Sequence, residues 1–370
     1  MKRLIPGLLL TVAVSVAATV IAELAGGALL RLQGFDPATA KGSPISPVTV
    51  AILLGLVVAA VIRSRPSLKP GLDFGVKRLL RVGIILVGIR LSLVDVLQLG
   101  AWGIPFVAAI IVFAILLATF VARKLGVSTK FGLLTAAATS ICGVTAALAT
   151  GPAIEADDRE VAYAVANTTL FGMIAMIFYP WLAHAVFETR SVGAGMFLGT
   201  SIHDTSQVVG AALAYRQMFA DELAFKAATV TKLTRNLFIV AVVPLMGWLA
   251  RRGSAGRSTA VRIRGLVPGF ILGFLLMAVV RTLGDATLAS AGAAFAFIPE
   301  ESWQDLTTLL GSSLAGWLLT AAMASVGLST NIGMFRQLGL RPLWVGAIVA
   351  VGVGALGLGL AILVSPFIRL

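Results

Sequence analysis

Charged side chains interrupt the apolar stretches of this 370-residue sequence at a few points where they could bind an ion or a proton. One stretch holds His203, Asp204 and Gln207, and the next holds Lys232 and Arg235. An ionisable side chain costs about 2.5–3.5 kcal/mol to insert into lipid, so such residues commonly mark transport pathways. Lys232 or Arg235 is predicted to hold an anionic substrate. His203 or Asp204, with Gln207 nearby, is predicted to carry a coupling proton. A structural ion pair between Asp204 and one of the two cations is the alternative.

Glycine and hydroxyl residues weaken two further apolar stretches as helices. Glycine costs about 1 kcal/mol relative to alanine inside a helix, and serine, threonine and asparagine offer the backbone other hydrogen bonds. Both stretches are therefore predicted to be broken helices, whose free N–H groups and positive dipole ends attract anions. The predicted substrate-binding residues are Ser140, Cys142, Gly143 and Thr145 in one stretch, and Ser325, Gly327, Ser329, Thr330 and Asn331 in the other. Close helix packing through small residues is the alternative.

The elements that must position these residues are predicted to be transmembrane helices. Hydrophobic residues make up 58% of the chain and charged residues only 12%, against about 25% charged residues in soluble domains. The apolar runs are long and continuous, which is typical of helices in lipid. Eleven spans are predicted, at residues 4–30, 46–62, 74–94, 101–122, 132–151, 160–187, 192–215, 224–249, 265–283, 303–330 and 342–366.

The net charge of +13 is distributed as a topology signal rather than as a nucleic-acid surface, because the basic residues lie in short loops between spans. One side holds Arg63, Arg65, Lys69, Arg123, Lys124, Lys130, Arg251, Arg252, Arg257, Arg262, Arg264, Arg336 and Arg341. The other side holds Glu155, Asp157, Asp158, Glu160, Asp221, Glu222, Glu300, Glu301 and Asp305. The separation predicts a cytoplasmic N-terminus and, with an odd number of spans, a C-terminus on the opposite side.

Site chemistries typical of enzymes are scarce in this sequence. Cys142 is the sole cysteine, which excludes an internal disulfide and a cysteine-based zinc site. Two histidines are too few for a histidine-rich metal centre, and the sequence has no P-loop and no paired catalytic carboxylates. We therefore predict a protein that is not an enzyme and that uses no cofactor.

Two pairs of segments point to an internal repeat. Residues 133–140 match residues 318–325 at six of eight positions, and residues 78–81 resemble residues 232–235. Both pairs imply that spans 2–6 recur as spans 7–11. A five-span unit is odd, so the second copy would be inverted in the membrane, as in many secondary transporters. The predicted units are an extra N-terminal helix and loop at 1–45, a first repeat at 46–190 and a second repeat at 191–370.

The residues singled out above lie in segments that resemble a known family. The runs at 79–91, 139–147, 202–209 and 232–236 resemble the YeiH-type bacterial inner-membrane proteins, which are described as sulfate exporters. The likeness extends from about Ser46 to the end of the chain. It implies a carrier in the bacterial inner membrane that exports sulfate or a related sulfur oxyanion.

The same resemblance implies a fold. The family is similar in its repeat plan to the bile-acid symporters and sodium/proton antiporters, in which two broken helices cross. Here the crossing pair would be the fifth and tenth spans. Asp204 departs from the family pattern, in which a glutamate is expected after the histidine.

The leading hypothesis is a secondary carrier that moves a small inorganic or sulfonated anion by alternating access. A sodium- or proton-coupled carrier of an organic acid, a cation antiporter and a passive anion channel remain alternatives, and a membrane enzyme or assembly protein is a further one. The predicted partners are the anion, the lipid bilayer and a coupling proton or sodium ion, without nucleic acid. The oligomeric state stays open, with a homodimer as one option.

Overall fold

The computed structural model describes residues 3–33, 35–40, 42–62, 65–251, 268–330 and 339–368. These residues form an all-helical fold, as predicted, with one isolated β-bridge between Ala294 and Ile298 and no strand. The helices are α1 Ile5–Leu32, α2 Pro47–Ile62, α3 Lys69–Phe74, α4 Leu80–Val87, α5 Leu93–Lys124, α6 Thr129–Ser140, α7 Val144–Ala153, α8 Asp158–Phe187, α9 Ser191–Ser201, α10 Thr205–Phe219, α11 Glu222–Leu237, α12 Ile239–Arg251, α13 Gly269–Ala291, α14 Glu300–Thr308, α15 Ala315–Ser329 and α16 Leu340–Val364. Turns of π-helix join α3 to α4 and α14 to α15.

Six helices in the described part of the chain are long and apolar enough to cross a membrane. They are α1, α5, α8, α13, the continuous run from α14 through α15, and α16. The pair α11 and α12, bent by 43°, makes a seventh if it counts as one span, and α2 is a shorter apolar helix. The predicted number of eleven crossings is not confirmed.

The predicted fifth span, 132–151, is a helical hairpin instead of one continuous element. Helix α6 ends at Ser140 and α7 begins at Val144. The Lys130 ammonium at the start of α6 donates to the Glu155 carbonyl beyond the end of α7, at 2.5 Å. The 12 residues of α6 rise about 18 Å, little more than half of the hydrocarbon core. The prediction that Lys130 and Glu155 lie on opposite sides of the membrane is therefore wrong.

The predicted seventh span, 192–215, is a second hairpin. Helix α9 ends at Ser201 and α10 begins at Thr205. A Cβ placed on Gly195 in α9 would lie 2.5 Å from the Ala224 carbonyl, so the start of α9 lies beside the start of α11. Helix α10 ends at Phe219 and α11 begins at Glu222, so the end of α10 also lies beside the start of α9. Helices α9 and α10 therefore run in opposite directions. The 30-residue helix α8 separates the hairpins, so they enter the fold from opposite ends.

In the predicted tenth span, α15 continues through Gly327 and ends at Ser329, and Thr330 is extended. The rest of the predicted break, from Asn331 onward, lies outside the described residues, so only the break at Ser325 and Gly327 is wrong. A Cβ on Gly327 would lie 2.4 Å from the Ile52 carbonyl and 3.0 Å from the Gly55 Cα, so the glycine lets α15 pack closely on α2. The Ser325 hydroxyl lies 2.9 Å from that of Thr11 on α1. Close packing, the alternative interpretation of these small residues, is what the structure shows.

This packing predicts opposite outcomes for two glycines of α15. We expect Gly327→Ala to destabilise the protein by about 1–3 kcal/mol, because the added methyl group meets backbone atoms that cannot move aside. A Cβ on Gly316 would have no heavy atom within 4 Å among the described residues, so Gly316→Ala should be neutral or slightly stabilising. Thermal unfolding of the two variants in detergent tests the difference, and equal unfolding temperatures would contradict it.

Two groups of helices enclose the interior. Helices α1, α2, α4, α13 and α15 pack mainly on one another, with α15 against α2 as the most extensive contact. Helices α5–α11 and α16 form the other group, in which α11 packs along α9 and α5 along α6. The two hairpins thus belong to one group and face the other.

Candidate functional site

The tips of the two hairpins meet. Tip 1 (residues 141–143) contains Gly143, whose φ of 60° and ψ of −112° lie in a region that favours glycine. A Cβ on Gly143 would lie 3.1 Å from Asp204 Oδ2 and 3.4 Å from its Cα, so tip 1 touches tip 2 (residues 202–204). Non-helical backbone at membrane depth is tolerated where protein buries it or where it lines a cavity.

Arg235 of α11 joins the two tips through backbone carbonyls. Its Nε donates to Ser140 at 2.8 Å, and its Nη1 donates to Thr200 at 2.7 Å and Ile202 at 3.0 Å. Its Nη2 donates to the Thr139 carbonyl. The guanidinium is fully buried, and these bonds satisfy the last carbonyls of α6 and α9, which have no partner within their own helices.

Lys232, one turn earlier on α11, completes this junction. Its ammonium donates to the carbonyls of Ile141 at 2.8 Å and Ile202 at 3.3 Å, and also to that of His203. Helix C-termini carry about half a negative charge each, so two buried cations here are electrostatically favourable. Among the ion pairs of the described residues, none joins Asp204 to either cation. The alternative interpretation, a structural ion pair of Asp204 with one of these cations, is therefore not what the structure shows.

A cavity of about 520 Å³ lies on the side of the tips away from the junction with Lys232 and Arg235. The first turns of α7 and α10 line it, with Val144 and Thr145 from one helix and Thr205 and Ser206 from the other. Opposite them lie residues of the other helix group, the one that contains α4, α13 and α15. The lining there is Val76, Lys77, Leu80, Arg81, Ile84, Phe270, Val326, Ser329 and Thr330. The cavity therefore separates the two helix groups at the level of the tips.

The two helix N-termini at the cavity differ in their capping. Asp204 caps α10: its Oδ1 accepts from the Ser206 N–H at 2.9 Å and from the Ser206 hydroxyl at 2.6 Å. The Gln207 side chain accepts in return from the Asp204 N–H at 3.2 Å, which completes a capping box. Gly143, which precedes α7, has no side chain to cap the helix, and the Cys142 thiol accepts from the Ala146 N–H and the Thr145 hydroxyl. The α7 N-terminus is thus the one without a carboxylate cap, which leaves its positive dipole end to attract an anion.

Asn236 ties α11 to this end of the site. Its Nδ2 donates to the Thr205 hydroxyl at 3.0 Å, and its buried Oδ1 has no partner among the described residues. The ring nitrogens of His203 are likewise buried without a described partner. No group of three metal-ligating side chains occurs in the part of the chain that the structure describes.

An ion pair joins the two helix groups away from the cavity. Arg90, which follows α4, contacts Glu222 at the start of α11 at 2.8 Å, and Arg216 lies 3.6 Å from the same carboxylate oxygen. The groups are therefore held together at this end and separated by the cavity at the tips.

The structure brings many of the predicted site residues together, in two different roles. Those that line the cavity are Cys142, Thr145, Asp204, Gln207, Ser329 and Thr330. Those that form the junction behind it are Ser140, Gly143, His203, Lys232 and Arg235. Ser325 and Gly327 pack against α1 and α2, and Asn331 lies outside the described residues. Lys232 and Arg235 bind carbonyls and are not among the residues that line the cavity. Their contact with a substrate stays a prediction.

Sequence reasoning missed the second break and the cavity residues that follow it, Thr205 and Ser206. The signal was present, because Asp204 and Gln207 have the spacing of a capping box, which marks a helix start. Thr169 and Phe270 were also missed. Nothing in their local sequence distinguishes them from other residues of apolar helices.

Comparisons with known proteins give one consistent family. A family model described as conserved hypothetical protein 698 matches residues 6–346. The chain is 32% identical over 353 residues to a UPF0324 membrane protein of Bacillus cereus, covering 95% of this chain and 92% of the relative. It is 31% identical over 293 residues to the UPF0324 membrane protein TauZ of Paracoccus denitrificans, covering 78% and 80%. No solved structure matches the chain.

Proposed function

Since the chain belongs to the family of conserved hypothetical protein 698, the UPF0324 membrane proteins, we propose that it is a secondary transporter that moves a small anion by alternating access. The YeiH-type proteins that its sequence resembles are this same family. The family and the apolar helices make the chain a multi-pass membrane protein. Transport, rather than catalysis, is the activity that the site supports best.

The observation that carries the proposal is the meeting of two re-entrant hairpins at a cavity between two helix groups. The carbonyl ends of α6 and α9 are neutralised by buried cations, while the amide ends of α7 and α10 face the cavity. Broken helices near the midplane are typical of substrate sites in secondary transporters. Movement of one helix group against the other would expose the cavity to each side in turn.

Asp204 supports coupling of the anion to a proton. The partial charges of the two helix C-termini and the two helix N-termini at the tips roughly cancel, which leaves the two positive charges of Lys232 and Arg235. An ionised Asp204 offsets part of this positive charge, whereas a protonated Asp204 leaves more of it for an anion in the cavity. Asp204 Oδ1 is hydrogen-bonded, while its Oδ2 faces the Gly143 backbone. The anion and a proton on Asp204 would therefore bind together.

The hairpins change the proposed topology but keep its orientation. We propose nine crossings: α1, α2, α3 with α4, α5, α8, α11 with α12, α13, α14 with α15, and α16. The number is odd, so the two termini would lie on opposite sides of a bacterial inner membrane. The basic loops favour a cytoplasmic N-terminus, which would put the C-terminus in the periplasm. The units at 46–190 and 191–370 stay a prediction. The hairpins take different places in them, fourth of five elements in the first unit and first of five in the second, so that inversion would not relate one hairpin to the other.

Counterflow in proteoliposomes tests the proposed function. Uptake of radiolabelled sulfate would be measured with unlabelled sulfate, sulfite or chloride inside, because the family resemblance makes a sulfur oxyanion the first substrate to try. A carrier gives uptake that internal anion stimulates, whereas a passive channel gives uptake without that stimulation. Absence of flux for sulfate, sulfite and organic sulfonates in folded protein would contradict an anion carrier of this class.

Thr145 is expected to contribute to anion affinity, because its side chain lines the cavity at the start of α7, where no carboxylate caps the helix. A hydrogen bond to a charged group is worth about 1.5–3 kcal/mol, so Thr145→Val should raise KM at least about tenfold with little change in stability. Thr119→Val is the matched control, since that hydroxyl bonds the Ile115 carbonyl of its own helix at 2.7 Å. Equal KM values for the two variants would remove Thr145 from the site.

A further inference from the structure

The hairpin tips form a cage of oxygen atoms around one ammonium group. Carbonyls of Ile141 from tip 1, and of Ile202 and His203 from tip 2, all accept from Lys232 Nζ. Carbonyl oxygens at unwound helix ends are the ligands that carriers offer to a coupling sodium ion. The Lys232 ammonium thus occupies a position whose ligand set suits an alkali-metal ion.

We propose that Lys232 is the resident cation of an alkali-metal-type site, so that the protein binds neither sodium nor potassium there. The lysine is fully buried, and its ammonium is tethered to α11, so the charge cannot leave the cage. The site itself does not depend on which substrate is carried. Its consequence, an anion transport cycle that is independent of sodium, rests on the proposed function.

The cage is close enough to the cavity for an ion to enter once the ammonium is removed. Cys142 and Asp204 each follow a cage residue in the chain, and both line the cavity. The Asp204 carboxylate would add a negative charge near an entering cation. We therefore expect truncation of Lys232 to convert the tethered-cation site into one that binds a free cation.

Thermal unfolding of the purified full-length protein tests this conversion. Wild type, Lys232→Ala and Lys232→Met would be compared in sodium, potassium, methylammonium and choline chloride at equal ionic strength. Wild type should unfold at one temperature in all four salts. Lys232→Ala should be less stable in choline and should recover with sodium or methylammonium in a saturable way. At a free cation concentration of about 100 times Kd, binding multiplies the ratio of folded to unfolded protein about 100-fold.

Two further variants separate a cation site from a general effect of salt. Lys232→Met fills the cage with an apolar side chain, so it should lose stability without recovering in any cation. Lys226 lies on the same helix outside the cage, and Lys226→Ala should show no response to the cation chosen. If sodium raised the unfolding temperature of Lys232→Met or Lys226→Ala as much as that of Lys232→Ala, the proposal would be overturned.

The wild-type protein keeps the proposal falsifiable if Lys232→Ala does not fold. A saturable increase by sodium over choline, in either the unfolding temperature or the anion flux of wild type, would overturn it. So would a folded Lys232→Ala that responds to none of the cations. Loss of anion flux in every salt would instead count against the proposed function alone, because the unfolding measurements do not depend on transport.

Discussion

Replacing Arg235 by alanine is expected to destabilise the protein strongly and to abolish flux. The carbonyls of Thr139, Ser140 and Thr200 would lose the only side-chain donor that they have among the described residues, while that of Ile202 keeps Lys232. A buried polar group without a partner costs about 1–3 kcal/mol, so the loss should be at least about 3 kcal/mol. Denaturation in detergent, together with proteoliposome uptake, measures both effects.

Arg81 provides the contrast for this experiment, because it is an exposed arginine that lines the cavity. Arg81→Ala should leave the unfolding temperature nearly unchanged and should alter flux through KM. If Arg235→Ala were as stable as wild type and changed KM alone, Arg235 would be a substrate contact, as the sequence predicted, and not a support of the tips. Arg235→Lys should recover part of the stability, since lysine restores the charge but has fewer donors.

Asp204→Asn is expected to remove the pH dependence of anion binding. Asparagine is as good a helix N-cap as aspartate, so α10 should keep its capped start. The neutral amide imitates the protonated carboxyl group. Anion affinity in wild type should fall by about tenfold or more as rising pH removes the coupling proton, which corresponds to about 1.4 kcal/mol. Affinity in the variant should stay high across the same range, while proton-driven net uptake is lost and anion exchange continues.

Asp221→Asn is the matched control for Asp204→Asn. Asp221 also caps a helix start, accepting from the Ala224 N–H at 2.9 Å, but it does not line the cavity. This variant should transport like wild type at every pH. A pH dependence that survives in Asp204→Asn would assign the coupling proton to another group, and a cation-driven flux without anion would favour the antiporter hypothesis.

The sequence anticipated the first break better than the second. Gly143 stands among hydroxyl residues, and its positive φ of 60° is a conformation that glycine adopts at little cost. The capping box of Asp204 and Gln207 gave an equally local signal, but the apolar residues on both sides of it made the segment resemble one span. Gly327 produced the opposite error, because a glycine that permits close packing and a glycine that breaks a helix look alike in sequence.

The membrane environment, the helical class, the polar residues of the candidate site and the chain's family could be predicted from the sequence, because hydropathy, local backbone preference and motifs are properties of short segments. The hairpins in two of the predicted spans, and the bonds from Lys232 and Arg235 to backbone carbonyls, could not. These outcomes depend on contacts between distant segments, such as the bond from Lys232 to Ile141 across 91 residues. A buried cation takes whichever acceptors surround it, and residue type alone does not specify them.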